Sequence, residues 1–488
     1  MSRWAERLIA CVAALTAIVL VADAATSIAS GAYLNLGSGV WLGLARDTHD
    51  GIFYRPLWNG AEYGGTRYFP MLFVLTAGLM RTGVAAIPAG VTVSMIGLVG
   101  MAAAVAMFLK RLGTPRPLVV AATALALAPY FVHQTAFAIR CEPIAAAFAI
   151  FGLAMLVPLE VRGTSTRHIL FAAGFFVAAF MTKITCVYAP AAATLALLLA
   201  GRRGAAVKLA ASTAVGALAV LGIVNAISHG RALESFRACA LAGSSPISLF
   251  SPAAVTRAVQ LIGTSHLLTT IFLLTIVALA ASGRAWLRLP TLYFFAAAAI
   301  TAVIFTSPGT ILTSQIVDAY VAAIVVLTTA AAAQGERRRD IGSAVLIALG
   351  FWTAGQNVSR IAGMIHTNMV RAGVQDQQAL AAEVDRCGGL IVSESALIPI
   401  LAGQRPVLLD AFAFHVVSSN RPEVEKDLVA RIGRREFSCV VLEQDPNTPK
   451  GQAWYTNVNL TKDVMDAVLQ HYRFERTIAG EHFFRAVQ

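Results

Sequence analysis

The chain has 488 residues, of which 57% are hydrophobic and only 13% are Asp, Glu, Lys or Arg. Because a soluble globular chain carries about 25% charged residues, these values exclude a soluble enzyme over most of the length. The formal net charge of +12 would favour a nucleic-acid partner in a soluble protein. In a membrane protein, however, basic residues collect in cytoplasmic loops, and no nucleic-acid partner is predicted here.

Long uncharged segments recur along most of the chain. A membrane-spanning helix needs roughly 20 apolar residues, so these segments can be identified directly. The first has an alternative interpretation as a cleaved signal peptide, because the basic residues 1–7 precede it and Ala22-Asp23-Ala24 resembles a cleavage site. The eleven predicted spans cover residues 8–30, 90–109, 118–135, 142–159, 168–182, 184–200, 206–228, 260–282, 289–307, 316–334 and 341–356.

The distribution of basic residues predicts the orientation of these spans. With the amino terminus in the cytoplasm, the segments on the cytoplasmic side hold more Lys and Arg than the segments on the outer side. After an odd number of spans the carboxyl terminus lies outside. The transmembrane domain is thus predicted at residues 1–356 and an extracytoplasmic domain at residues 357–488.

Two segments are not membrane-like. Residues 31–68 form a long first outside loop that closes with Tyr68-Phe69-Pro70, before an apolar stretch predicted to lie as a helix at the interface. The polar tail, residues 357–488, alternates helix and strand patterns, which predicts a small α/β domain. Its predicted helices are 374–386, 395–402, 422–435 and 462–471, and its predicted strands are 390–392, 406–409 and 437–442.

Six cysteines are scattered without CxxC spacing, so neither a zinc site nor a disulfide scaffold is predicted. Cys387 and Cys439 both lie at predicted strands of the tail. If those strands are neighbours and the tail lies in an oxidising compartment, the two cysteines form a disulfide. The alternative is two buried free thiols that behave as small apolar side chains.

Ionisable residues gather at the outer ends of the predicted spans. Arg140 and Glu142 lie between the third and fourth spans, Lys183 between the fifth and sixth, and Asp318 at the start of the tenth. Charged groups at such places cost about 2.5 to 3.5 kcal/mol each on insertion scales, which indicates a function. We expect them to line one outward-facing cavity. The alternative is that they are merely solvated turn residues, and that Arg140 and Glu142 only pair with each other.

The first outside loop supplies candidates for a general base. Asp47 and Asp50 are three residues apart, which places them on one face if the segment is helical. A carboxylate at the border between water and lipid can take the proton of an attacking hydroxyl group. The alternative for both residues is a helix cap or a solvated helix end.

Several motifs are missing from the sequence. It contains no GxxxxGK[ST], no HExxH and no GxGxxG after a strand, so an ATP-driven pump and a membrane metalloprotease have no support. A flippase or secondary transporter for a lipid-linked or small anionic substrate stays as an alternative. Against it, such transporters usually consist of two related halves, and no internal repeat is evident.

Three motifs follow one another along the chain: Phe53-Tyr54-Arg55-Pro56 with Arg67-Tyr68-Phe69-Pro70, then Arg140-Cys141-Glu142-Pro143, then Lys183 followed by Tyr188-Ala189-Pro190. In this order they resemble the polytopic membrane glycosyltransferases of the C superfamily, of the family 39 and family 87 type. That group includes the aminoarabinose transferases and the protein mannosyltransferases.

The resemblance implies an α-helical polytopic protein of the bacterial cytoplasmic membrane, with about 11 transmembrane helices and a small extracytoplasmic α/β domain. Such enzymes move a hexose or pentose from a polyprenyl-phosphate-linked donor to a glycan, lipid or protein acceptor on the outer face. No cofactor is implied with certainty, and whether a divalent metal joins the phosphate is left open.

The resemblance also implies roles for single residues. Asp47 or Asp50 would be the base. In many relatives an acidic pair stands where this sequence has Ser38-Gly39, before Trp41. Either Asp47 or Asp50 has taken that role from a shifted position, or the chain is not catalytically competent in the usual way. The implied ligands of the donor phosphate are Arg140, Lys183, Arg55 and Arg67, with Glu142, Tyr54, Tyr68 and Asp318 in support.

Overall fold

The computed structural model describes residues 3–162, 165–240, 265–281, 288–306 and 313–487, together with positions 256, 259, 260 and 263. Its apolar part is built of helices. In chain order they are α1 (Arg3–Ser30), α2 (Leu36–His49), α3 (Met71–Met80), α4 (Ala86–Arg111), α5 (Arg116–Leu127), α6 (Tyr130–Phe137), α7 (Glu142–Arg162), α8 (Thr166–Phe180), α9 (Tyr188–Leu199), α10 (Arg203–Ile227), α11 (Arg231–Ala240), α12 (His266–Ala281), α13 (Leu289–Thr306), α14 (Val317–Ala332) and α15 (Glu336–His366).

The membrane helices follow the predicted spans. Five described helices, α1, α4, α10, α14 and α15, are long and apolar enough to cross a bilayer, and α5 with α6 forms a sixth candidate that is bent by 62°. Shorter apolar helices, α7, α8, α9, α12 and α13, account for the other predicted spans, although the start of segment 260–282 lies largely outside the described residues. The prediction of a polytopic helical membrane fold is confirmed.

The bend between α5 and α6 has a local cause. Pro129 has no backbone N–H and cannot continue the helical hydrogen bonding, so carbonyl groups around the break need other donors. His133 Nε2 lies 2.8 Å from the carbonyl oxygen of Leu127, and the Asn357 side chain donates to the carbonyl oxygen of Ala128. Side chains of α6 and α15 thus provide hydrogen-bond partners for the carbonyl groups at the break between α5 and α6.

Helix α1 is tied into the helical core through a buried aspartate. Asp23 is fully buried, its Oδ2 lies 2.8 Å from His133 Nδ1, and Arg360 of α15 donates to the same oxygen. Removal of this carboxylate would leave buried donors unpaired, which is costly. The contacts favour a retained helix over a cleaved signal peptide.

The tail continues directly from the membrane part, because α15 runs through residue 357 to His366. A four-stranded sheet with the strand order β1-β2-β4-β3 organises the tail, and only β1 and β2 run parallel. Its elements are α16 (Met369–Cys387), β1 (Ile391–Ser393), α17 (Leu397–Leu401), α18 (Ala411–Asn420), α19 (Pro422–Gly433), β2 (Cys439–Leu442), α20 (Pro449–Asn457), α21 (Lys462–His471), β3 (Tyr472–Ile478) and β4 (Glu481–Ala486).

The predicted tail elements differ from the structure in three respects. Helices α18 and α20 are absent from the prediction. The predicted strand 406–409 is wrong, because Leu408 forms only an isolated bridge with Tyr63 of the first outside loop. The carboxyl-terminal hairpin of β3 and β4 was not predicted. The remaining predicted helices and strands correspond to α16, β1, α17, α19, β2 and α21, with ends shifted by a few residues.

A disulfide joins Cys387 at the end of α16 to Cys439 at the start of β2, with the two Cα atoms 5.9 Å apart. The disulfide prediction is therefore confirmed, and the alternative of two free thiols is wrong. The bond closes a loop across a sequence separation of 52 residues. Disulfides of this kind persist in oxidising compartments.

Cys387→Ser should lower the free energy of unfolding of the tail by about 2 to 4 kcal/mol, because the unfolded chain regains the loop freedom that the bond removes. Thermal unfolding of the purified protein measures the loss. Cys11→Ser is the matched control, since Cys11 is an exposed free thiol. Alkylation of Cys387 and Cys439 in unreduced protein would contradict the prediction.

Candidate active site

A cavity of about 540 Å³ lies where one end of the membrane helices meets the tail. One wall comes from the start of α2, the start of α7 and the turn before α9. The other wall comes from the ends of β1 and β2, the start of α18 and the end of α20. The lining includes Arg67, Arg140, Glu142, Lys183, Glu394, Asp410, Glu443 and Trp454.

Arg140 lies over the first turn of α2. Its Nη2 donates to Asn35 Oδ1 at 2.8 Å, and a Cβ atom at Gly37 would meet Arg140 Nη1 at 2.3 Å. Glycine at position 37 is therefore what admits the guanidinium group to this turn. The residue before Arg140, Ile139, has a φ of 54°, a strained backbone that directs the chain into the cavity wall.

The Ser38-Gly39 position is filled by structural contacts. Ser38 is fully buried, and its hydroxyl donates to the carbonyl oxygen of Ala138 at 2.8 Å. A Cβ atom at Gly39 would meet the backbone nitrogen of Leu397 in the tail at 2.4 Å. Close packing of α2 against the tail therefore leaves no room for an acidic side chain at residue 39.

Lys183 is held by an aspartate from another helix. Its Nζ lies 3.0 Å from Asp318 Oδ2, and the Tyr188 hydroxyl donates to Asp318 Oδ1 at 2.6 Å. Lys183 lines the cavity, whereas Asp318 stands behind it and does not. The observed ion pair joins Lys183 to Asp318, whereas the alternative from the sequence paired Arg140 with Glu142, and it fixes an ammonium group at the cavity wall.

The first outside loop contributes Arg67 and Tyr68 to the cavity. The Arg67 guanidinium lies 4.5 Å from the ring centroid of Phe412, and the Tyr68 ring stacks on Trp41 at 4.3 Å. Tyr54 is buried and does not line the cavity, but its hydroxyl donates to the carbonyl oxygen of Tyr68 at 2.9 Å.

Asp47, Asp50 and Arg55 do not lie at the cavity. Asp47 accepts hydrogen bonds from Arg55 Nε and Nη2, both at 2.7 Å, and from Arg405 Nε at 3.0 Å, and it is 1% exposed. Asp50 is exposed beside His49 at the end of α2. Because α2 lines the cavity as far as Trp41 and rises about 1.5 Å per residue, Asp47 lies roughly 9 Å further along the helix.

The tail wall carries acidic residues that the sequence analysis missed. Glu394 directly follows β1 and Glu443 directly follows β2. The carboxyl ends of adjacent parallel strands meet at one edge, where ligands of α/β domains bind. An acid within two residues of the end of each of these two predicted strands was a signal that could have identified this edge.

Glu394 is saturated with hydrogen bonds. It accepts from Trp454 Nε1 at 2.6 Å, from the Tyr455 hydroxyl at 2.8 Å, from Asn459 Nδ2 at 2.8 Å and from the backbone N–H of Glu443 at 2.8 Å. Four donors hold the carboxylate in place, and the carboxylate in turn orients the Trp454 ring at the cavity.

Asp410 is the N-cap of α18, and its Oδ1 accepts from the backbone N–H groups of Phe412 and Ala413. Burial raises the pKa of Asp410, and the nearby Arg67 opposes that shift. Among the residues that the structure describes, no cluster of three or more His, Cys, Asp or Glu side chains is arranged to hold a metal ion.

An apolar groove of about 520 Å³ lies between α8, α9 and α10. The 3₁₀ turn Ile184–Val187 joins Lys183 to α9, and Val187 lines the groove. The apolar groove therefore begins one turn along the chain from Lys183. Its lining includes Phe176, Phe180, Pro190, Leu195 and Ala214.

Solved structures with the same fold are membrane proteins. ArnT from Cupriavidus metallidurans in the apo state matches with a TM-score of 0.60 and 13% identity over 97% of this chain and 98% of that chain. The same protein bound to undecaprenyl phosphate gives a TM-score of 0.62 and 12% identity over 97% of each chain. The Archaeoglobus fulgidus oligosaccharyltransferase in the apo form gives 0.54 and 13%, over 97% of this chain and 74% of that chain.

These likenesses extend from the first helix through the tail, so they concern the whole architecture. The fold expected from the resemblance to the C superfamily is confirmed. No protein-family model and no curated protein matches the sequence.

Proposed function

We propose that this protein is an integral-membrane glycosyltransferase that moves a sugar from a polyprenyl-phosphate-linked donor to an acceptor hydroxyl at the outer face of the cytoplasmic membrane. The observation that carries the proposal is the convergence of Arg67, Arg140 and Lys183 on one cavity at the edge of the membrane part. Three cations so placed would offset the charge of a departing phosphate, which is the main electrostatic demand of the reaction.

The location of the cavity favours a lipid-linked donor. No nucleotide sugar is available outside the cytoplasm, so a donor used there has to reach the site from the bilayer. The apolar groove between α8, α9 and α10 begins one turn from Lys183 and would receive an isoprenoid chain whose phosphate binds that lysine. ArnT, which has the same fold, has been crystallised with undecaprenyl phosphate.

The proposed transferred group is a hexose or pentose, and the acceptor is an envelope glycan, a lipid or a protein. Trp454 presents an aromatic ring at the tail wall of the cavity, held there by Glu394. An aromatic ring beside fixed polar groups suits a sugar ring, which has an apolar face and a hydroxyl-bearing rim. The disulfide of the tail supports its extracytoplasmic placement.

Two measurements test this function. Purified protein should be stabilised against heat by polyprenyl phosphate, because a ligand that binds only the folded state raises the unfolding temperature. Mass spectrometry of lipid-linked and envelope glycans, with and without the protein, should show an acceptor whose sugar depends on it. A flippase would move intact donor across the membrane and leave every acceptor unmodified, which would contradict the proposal.

A further inference from the structure

We propose that Glu443, in the tail, accepts the proton of the acceptor hydroxyl during transfer. The inference deepens the proposed function and rests on it. Glu443 lines the cavity from the tail, whereas Arg140 and Lys183 line it from the turns before α7 and α9. In a direct displacement the acceptor attacks the sugar from the side away from the departing phosphate, so the base belongs on a different wall from these two phosphate ligands.

The other described carboxylates that line the cavity have other roles. Glu394 already accepts four hydrogen bonds, and Asp410 caps α18 beside Arg67. Glu142 stands two residues from Arg140 in the cationic wall, on the side of the phosphate. Both oxygens of Glu394 are therefore occupied, Asp410 is held beside the positive charge of Arg67, and Glu142 lies beside a phosphate ligand.

Glu443 retains an uncommitted carboxylate oxygen. Its Oε2 is buried and has no hydrogen-bond partner among the described residues, although its backbone N–H donates to Glu394. A buried acceptor atom without a donor is costly, and such atoms often have a catalytic role. The other oxygen, Oε1, also has no hydrogen-bond partner among the described residues and, unlike Oε2, is not buried, so an acceptor hydroxyl can donate to it and be oriented for attack.

The electrostatic surroundings of Glu443 shift its pKa to a value that suits proton transfer. Burial and the negative charge of Glu394 raise the pKa of Glu443 to about 7, while Lys450 of α20 opposes the shift. Glu481 of β4 lies near Glu443, because Leu442 pairs with His482 in the sheet. Burial and the charges of Glu443 and Glu394 raise the pKa of Glu481 to about 8. A base is most effective when its pKa lies near the working pH.

The reaction balances without a further reactant. The acceptor oxygen forms a bond to the anomeric carbon of the sugar, and the bond between that carbon and the phosphate oxygen breaks. The bonding electron pair leaves with the phosphate, towards Arg67, Arg140 and Lys183. The hydroxyl proton passes to the Glu443 carboxylate and from there to solvent.

The test compares Glu443→Gln with Glu443→Asp. Glutamine keeps the shape but cannot take a proton, so transfer should fall by about 10² to 10⁴, whereas binding of polyprenyl phosphate should be unchanged. Aspartate should restore part of the rate. The wild-type rate should rise with pH through an apparent pKa of about 7, since the base must be ionised, and Glu443→Gln should lose that dependence.

Glu481→Gln is the matched control, since it removes a neighbouring carboxylate that does not line the cavity. It should keep transfer and leave the pH dependence near a pKa of about 7, because Glu481, with a pKa of about 8, is still protonated where Glu443 ionises. If Glu443→Gln transfers sugar at the wild-type rate, or if it no longer binds polyprenyl phosphate, the role of Glu443 is overturned. Failure of the wild-type protein to bind polyprenyl phosphate or to transfer sugar would instead overturn the proposed function.

Discussion

Lys183→Met should weaken polyprenyl phosphate binding and lower sugar transfer by about 10² to 10³, the usual effect of removing one preorganised charge partner from a site that stabilises developing negative charge. Asp318 fixes the ammonium group at the cavity wall, so no other described side chain can supply this charge when Lys183 is replaced. Methionine preserves the length and the apolar stem of lysine.

The same substitution has a structural cost that must be separated from the functional one. Asp318 is 5% exposed in its side chain, and loss of Lys183 leaves its charge unpaired except for the Tyr188 hydroxyl. Breaking a buried ion pair in this way costs about 3 to 5 kcal/mol of stability. Loss of activity in the single variant would therefore have two possible causes.

A double variant, Lys183→Met with Asp318→Asn, separates them. Asparagine removes the unpaired charge and still accepts from Tyr188, so thermal stability should return towards the wild-type value. Binding of polyprenyl phosphate, measured by the ligand-induced rise in the unfolding temperature, should not return. If the double variant binds polyprenyl phosphate as tightly as the wild type, Lys183 serves only to neutralise Asp318.

The sequence could predict the cationic side of the cavity because membrane topology is a strong constraint. Arg140 and Lys183 follow odd-numbered spans, so both turns fall on the same side of the bilayer. Their contact with the tail could not be predicted in this way. Nothing local in the sequence shows that α18 and α20 of the tail fold back over those turns, or that Glu443 lines the same cavity.

The prediction that placed a base at Asp47 or Asp50 shows where local spacing is insufficient. The segment is helical, as the spacing allowed, but spacing does not say which end of α2 points to the cavity. The errors in the predicted tail elements also arise because local sequence is insufficient. Leu408 pairs with Tyr63, far away in the sequence, and β3 is mostly exposed, so it lacks the apolar alternation that identifies a strand.

Asp47→Asn should destabilise the protein and leave the chemistry of the folded molecules intact. Arg55 and Arg405 both donate to Asp47, and Arg405 also donates to Glu62 at 2.9 Å, so two cations and two anions balance at the junction of the first outside loop and the tail. Removal of the Asp47 charge leaves the guanidinium group of Arg55, which is 1% exposed, without a compensating anion. The expected loss is about 3 to 5 kcal/mol.

Asp50→Asn is the matched control for this prediction. Asp50 lies one turn further along, is exposed, and pairs only with side chains of its own helix, so its loss should change stability by less than about 1 kcal/mol. Thermal unfolding in detergent gives the stability of both variants, and transfer per folded molecule gives the chemistry. Because Arg55 also donates to the carbonyl oxygen of Pro406 at 2.8 Å, the junction should loosen in Asp47→Asn and not separate completely. A variant that unfolds at the wild-type temperature and yet has no transfer activity would make Asp47 the base after all.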